Sequence, residues 1–119
     1  MKVLWVTLFL VLFLSGFACA DSYESLTITN AAGGVSLTAS IYGGAKWGMC
    51  RLESAEIRYV LDGKTTPTST VGVVLEPLEW LILENPIQIR NFRGFATGNT
   101  SANLKCFYFE RELQAEPTR

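Results

Sequence analysis

The stretch IRYVLDGKTTPT, residues 57–68, decides how this chain is read. Ile57, Tyr59 and Leu61 alternate with Arg58 and Val60, a period of two that sends one set of side chains to each face of a β-strand. Asp62-Gly63 then ends the strand, because Asp bonds its own backbone two residues on and glycine accepts the positive φ of a tight turn. Pro67 lacks an N–H, so the polar run that follows crosses without regular pairing. The phrase predicts a strand and its corner.

The same pattern recurs on both sides. Leu26 and Ile28 alternate with Thr27 and Thr29, and Val35, Leu37, Ala39 and Ile41 alternate with Ser36, Thr38 and Ser40 between two glycine pairs, Gly33-Gly34 and Gly43-Gly44. Residues 47–53 and 55–61 read as two further strands. Downstream, 71–75 resumes, Pro77 interrupts, and 78–83 follows until Asn85-Pro86 breaks it. Residues 87–97 read as an extended run with Gly94 as a bulge. In residues 103–111, Leu104, Cys106 and Tyr108 oppose Lys105, Phe107 and Phe109. No segment after Asp21 sustains a 3.6-residue period. Seven or eight short antiparallel strands with regular turns predict an all-β fold, a sandwich or barrel.

The apolar excess lies at the start. MKVLWVTLFLVLFLSGFACA, residues 1–20, carries Lys2, an uncharged run from Val3 to Leu14, and small residues ending Ala18-Cys19-Ala20. These are the three regions of a secretory signal peptide, and the run is too short to span a bilayer comfortably. The expectation is a signal peptide at 1–20, a domain at 21–112 and a flexible polar tail at 113–119, in a secreted or periplasmic protein. Membrane attachment enters only if the leader stays uncleaved or Cys19 is lipidated, and Gly16, Phe17 and Ala18 suit lipidation poorly.

Cleavage would take Lys2 away and move the formal charge from −1 to −2. A mildly acidic domain without a basic run does not neutralise phosphates, so nucleic acid is not an expected partner. Cleavage also leaves an even pair, Cys50 and Cys106, which in an oxidising compartment reads as one disulfide, with two buried free thiols as the alternative. Their spacing also suits a bridge between two sheets.

Two resemblances add to this reading. IRYVLDGKTTPT, followed by IQIRNFRGF at 87–95, resembles the immunoglobulin-like modules appended to secreted bacterial chitobiases and other glycoside hydrolases. Residues 39–72 and 87–109 together resemble small β-rich proteins of tailed bacteriophages and prophages. Both resemblances imply a β-sandwich, an immunoglobulin-like one in the first, and in neither family is this segment catalytic. The antibody-type signature is absent: Trp47 precedes the first Cys, and Leu104 stands where a corner Tyr belongs.

The sequence contains no histidine, which removes the commonest general base and metal ligand and every Ser-His triad. Two cysteines alone do not close a zinc site, and no phosphate-cradling glycine loop is present, so neither a metal nor another cofactor is expected. Glu53 and Glu56, or Glu76, Glu79 and Glu84, remain as a source of paired carboxylates, although exposed Glu is ordinarily solvated surface. Asn99-Thr100-Ser101 fits the N-glycosylation rule, which matters only in a eukaryotic source.

The candidate contact residues are therefore the loop Asp62, Gly63, Lys64, Thr65, Thr66, Pro67 and Thr68, and the aromatics Trp47, Trp80, Phe107 and Phe109. Phe107 and Phe109 alternate with apolar neighbours, so their strand is either covered on both sides or docks a partner. The functional expectation is a non-enzymatic secreted or periplasmic module that binds carbohydrate or protein subunits. The alternative is a phage or prophage structural protein, a capsid decoration or tail accessory.

Overall fold

The computed structural model describes residues 20–112; apart from Ala20, the expected leader, the Cys19 alternative and the polar tail lie outside the described residues. Eight strands alternate with two short helices: β1 Ser22–Ile28, β2 Val35–Ser36, α1 Ala39–Tyr42, β3 Trp47–Ser54, β4 Ile57–Val60, β5 Val73–Leu75, β6 Trp80–Leu83, α2 Pro86–Asn91, β7 Arg93–Ala96 and β8 Ala102–Phe109.

The strands form two four-stranded antiparallel sheets, ordered β1-β8-β3-β6 and β2-β7-β4-β5. The expected all-β sandwich is present. Its winding is not the immunoglobulin one. First pairs with eighth, second with seventh, third with sixth and fourth with fifth, so one long hairpin is rolled across both sheets, the order of a jelly roll. An immunoglobulin domain instead divides its strands ABED and CFG.

Alternation explains which side of each strand is buried. Along β8, Leu104, Cys106 and Tyr108 are buried while Lys105, Phe107 and Phe109 are half-buried, as their spacing predicts. β3 behaves alike, with Cys50 and Leu52 inside. Ile57 supplies the core from the second sheet, with Tyr59 and Leu61 packed against it. Tyr59 lies nearly parallel to Phe92, ring centres 6.1 Å apart.

Three expectations about local structure are corrected. The alternating run 35–41 forms a strand only at Val35–Ser36; the amides of Ile41 and Tyr42 then donate to Thr38 O, making α1. Leu37 stands buried just before α1, while Ala39 and Ser40 lack the β-branched or aromatic bulk that favours a strand. Residues 87–91 are helix, not extended. Asn85 Oδ1 caps the Gln88 amide at 2.9 Å and Pro86 occupies the first turn, a start signal that a reading of Asn-Pro as a break overlooks. Gly94 is no bulge: it sits in register opposite Val35 and Tyr59, where a Cβ would meet Ile28 at 3.1 Å and Phe92 at 3.2 Å. The register shift lies instead in β3, between Leu52 and Ser54.

Candidate functional site

The four aromatics singled out above come together on the outer face of the β1-β8-β3-β6 sheet. Trp47 and Phe109 are cross-strand partners, stacked at 4.1 Å with their planes 9° apart. One step along the strands, Tyr23, Phe107, Met49 and Ile82 stand in register across all four strands. Tyr23 and Phe107 are 5.0 Å apart. The next step carries Ser25, Lys105, Arg51 and Trp80.

Large apolar groups on this face stay open. Tyr23 is 47% exposed, Trp80 48% and Ile82 42%. Arg51 lies 5.6 Å from the centre of the Trp80 ring, a cation–π distance, and its Nε is 3.6 Å from Glu53. That nitrogen is enclosed and makes no hydrogen bond, so charge and ring contact hold the guanidinium. An apolar band crossing a whole sheet is unusual on a free surface.

On the inner side, Cys50 and Cys106 are opposite one another and joined by a disulfide, with Cα atoms 4.0 Å apart. The bridge therefore links neighbouring strands of one sheet. The inter-sheet bridge expected from spacing is corrected, because β3 and β8 are adjacent in a jelly roll.

The loop 62–68 is not brought to this face; it follows β4 in the other sheet. Asp62 accepts from the amides of Lys64 at 3.0 Å and Thr65 at 2.9 Å and from the Thr65 hydroxyl at 2.5 Å. These donors, the hydroxyl first, hold its carboxyl down at about 2. Asp62 is thereby occupied in shaping the turn. Gly63, Lys64 and Thr66 are exposed and Thr65 and Thr68 half-buried, but Pro67 is fully buried and does not offer a contact. Pro67 fills space that opens only because position 34 is glycine, where a Cβ would stand 2.9 Å from the Pro67 ring.

The carboxylates divide into local groups. Glu56 accepts from the Thr97 hydroxyl at 2.8 Å, and that bond, with Glu76 next, holds its carboxyl below the ordinary range. Glu76 is raised by its hydrogen bond with Glu56. Glu79 caps the Glu76 amide at 2.7 Å. Glu84 lines an open cleft of about 200 Å³ with Lys46, Asn85, Pro86 and Glu112. Asn99 is exposed in the turn between β7 and β8. Among the described residues no cluster of Cys, Asp and Glu has the make-up of a metal site, and no helix is long and apolar enough to cross a membrane.

Sequence reasoning passed over Tyr23, Met49, Ile82, Arg51 and Lys105 as members of this face. Alternation within β3 aligns Met49 and Arg51 with Trp47, but which strands lie side by side is a property of the winding. The chain matches no family model, no curated protein and no solved structure.

Proposed function

We propose that this chain is a non-catalytic β-sandwich module, secreted or periplasmic, that works by offering the outer face of its β1-β8-β3-β6 sheet to a partner. The observation that carries the reading is the convergence of Trp47, Trp80, Phe107 and Phe109 with the exposed Tyr23 and Ile82 on that face. The disulfide is compatible with an oxidising compartment. The leader pattern adds export. Fold alone names no function, so the site bears the argument.

The test is the intact mass of the protein in secreted or periplasmic, membrane and cytoplasmic fractions of the native source. A product beginning at Asp21 and two hydrogens lighter than its reduced form supports the reading; cytoplasmic full-length chain with free thiols overturns it.

A second reading, a phage or prophage structural protein, is favoured by one observation. Jelly rolls recur in viral capsid proteins, and an open sheet face is what such a subunit would turn toward its neighbour. Its presence in purified particles is the measurement that separates the two.

A further inference from the structure

We propose that the partner of this face is a second copy of the chain, docked sheet to sheet about a two-fold axis running along the Tyr23–Phe107–Met49–Ile82 row. The inference rests on the preceding reading of the face as a contact surface, and names its occupant.

The chemistry of the face favours protein over sugar. Trp47 and Phe109 cover one face of each other's rings and Arg51 lies over one face of Trp80, while the row between them carries Met49 and Ile82, aliphatic side chains that pack against a protein and give a pyranose nothing to stack on. Along the Tyr23–Phe107–Met49–Ile82 row the only polar side-chain group is the Tyr23 hydroxyl, and beside it Ser25 Oγ already donates to Asn103 at 2.9 Å and Glu53 is drawn to Arg51. Another sheet, packing at about 10 Å, needs apolar ridges rather than hydroxyl partners.

Charge selects the second copy and its orientation. On one side of the apolar row stand Lys105 and Arg51, offset in part by Glu53. On the other side, beyond Trp47 and Phe109, Asp21, Glu84, Glu110 and Glu112 outnumber Lys46 and Arg111 among the described residues, all six exposed. An axis along the row reverses the strand direction of the second copy while keeping the order of its strands. Lys105 and Arg51 then meet the other copy's aromatic pair and acidic rim. An axis along the strands would set like charge on like charge.

The size of the face sets the strength. Four strands and about six residues along them make a patch of about 20 by 20 Å. That is about 400 Å² a copy, smaller than a standard specific interface, so the dimer is weak, reversible and concentration-dependent.

The experiment is sedimentation equilibrium on the full chain, expressed with its own N-terminal segment and purified in whatever form the host leaves it. The mass should pass from one chain to two as concentration rises, with the midpoint moved upward by about 0.5 M salt. Ile82→Lys and Lys105→Glu should each raise the midpoint at least about ten-fold. Adding Glu110→Lys, at the acidic end of the same strand, to Lys105→Glu should recover most of that loss. Circular dichroism and the oxidised intact mass check folding, and Trp80→Ser replaces Ile82→Lys if the latter does not fold. A single-chain mass up to about 1 mM overturns the proposal, and so does a dimer indifferent to these substitutions. A monomer recovered from the exported fraction with its disulfide formed overturns the second copy alone; cytoplasmic protein with free thiols overturns the underlying reading.

Discussion

The phenol of Tyr108 donates to Glu24 Oε1 at 2.5 Å, and the amide of Thr38 donates to the same oxygen at 3.1 Å. One carboxylate, only 5% exposed, thereby ties β1 to β8 and to the start of α1. β1 turns Glu24 inward with Leu26 and Ile28, so an acidic residue occupies a core position. Its burial is tolerable because both donors are in place.

Removing one of those donors should be costly. Tyr108→Phe keeps the ring and deletes the hydroxyl, leaving the carboxylate with the Thr38 amide alone. The expected loss is about 1.5–3 kcal/mol, the range for hydrogen bonds to charged groups. Guanidinium denaturation of the two proteins side by side reads it. A variant as stable as the parent would show that Glu24 finds other solvation.

The same contact makes a prediction in alkali. Burial first, and Glu24 second, push the Tyr108 phenol well above its ordinary value. A phenol raised in the folded state contributes stability that is complete below the unfolded value of about 10 and is lost as pH rises beyond it. Ionisation of Tyr108 should therefore coincide with unfolding. Parallel absorbance and circular dichroism titrations check this, and Tyr108→Phe should flatten the alkaline loss of stability. Separate transitions for phenolate and unfolding would defeat the prediction.

Gly48 is the position that lets this ring lie flat. A Cβ there would stand 3.0 Å from Tyr108 Cδ1 and 3.1 Å from Phe107 O. Gly48→Ala should cost about 1–3 kcal/mol by overpacking. Little should be recovered by adding Tyr108→Phe, since the clash is with the ring edge and not the hydroxyl.

The disulfide spans 56 residues of sequence yet joins residues already opposite in β3 and β8. Chain entropy assigns a loop of that length about 4 kcal/mol of stabilisation. The double variant Cys50→Ala, Cys106→Ala should lose about 2–5 kcal/mol in chemical denaturation. A loss under about 1 kcal/mol would mean that the reduced unfolded chain keeps β3 near β8.

Much of the sandwich was legible because a period of two is a local property. Leu104, Cys106 and Tyr108 went inward and Phe107 and Phe109 outward as their spacing required. The winding was not legible. Nothing near Cys50 announces that β8 lies beside it, and the same alternation fits an immunoglobulin order or a rolled one. For the site, all four aromatics were readable as contact candidates, Phe107 and Phe109 because they alternate with apolar neighbours and so leave both faces of their strand apolar. Their convergence depends on the registers of β8, β3 and β6. Pro67 was misplaced for a related reason: its burial is set by Gly34, far away in sequence.

Asp62 supplies a test in acid. Its folded value, about 2, lies below the ordinary 3.8, through the Thr65 hydroxyl first and then the Thr65 and Lys64 amides. A depressed carboxylate contributes stability that is present above the ordinary value and is lost as pH falls through the folded one. The window is therefore 3.8 down to about 2. Carboxyl NMR titration should find Asp62 at its low end, and Thr65→Val, which removes the largest cause, should move it upward. An Asp62 titrating near 3.8 in the parent would refute the turn geometry.

Trp47 and Phe109 pose the last question, whether the outer face has its own structural reason to be aromatic. Stacked at 4.1 Å across the β3–β8 pair, they should couple by about 0.5–1.5 kcal/mol in a double-mutant cycle of Trp47→Ala and Phe109→Ala. The cycle is run at protein concentrations low enough to keep the chain monomeric, so that no second copy contributes. Coupling in that range assigns the pair to holding β3 against β8, the two strands the disulfide also joins. Tyr23, Trp80 and Ile82 are then the residues whose exposure calls for a partner, and Ile82→Lys should change self-association without changing monomer stability by more than about 0.5 kcal/mol. Coupling near zero reverses the assignment, because rings that gain nothing from each other within one chain are left with docking as the reason for their place on an open sheet.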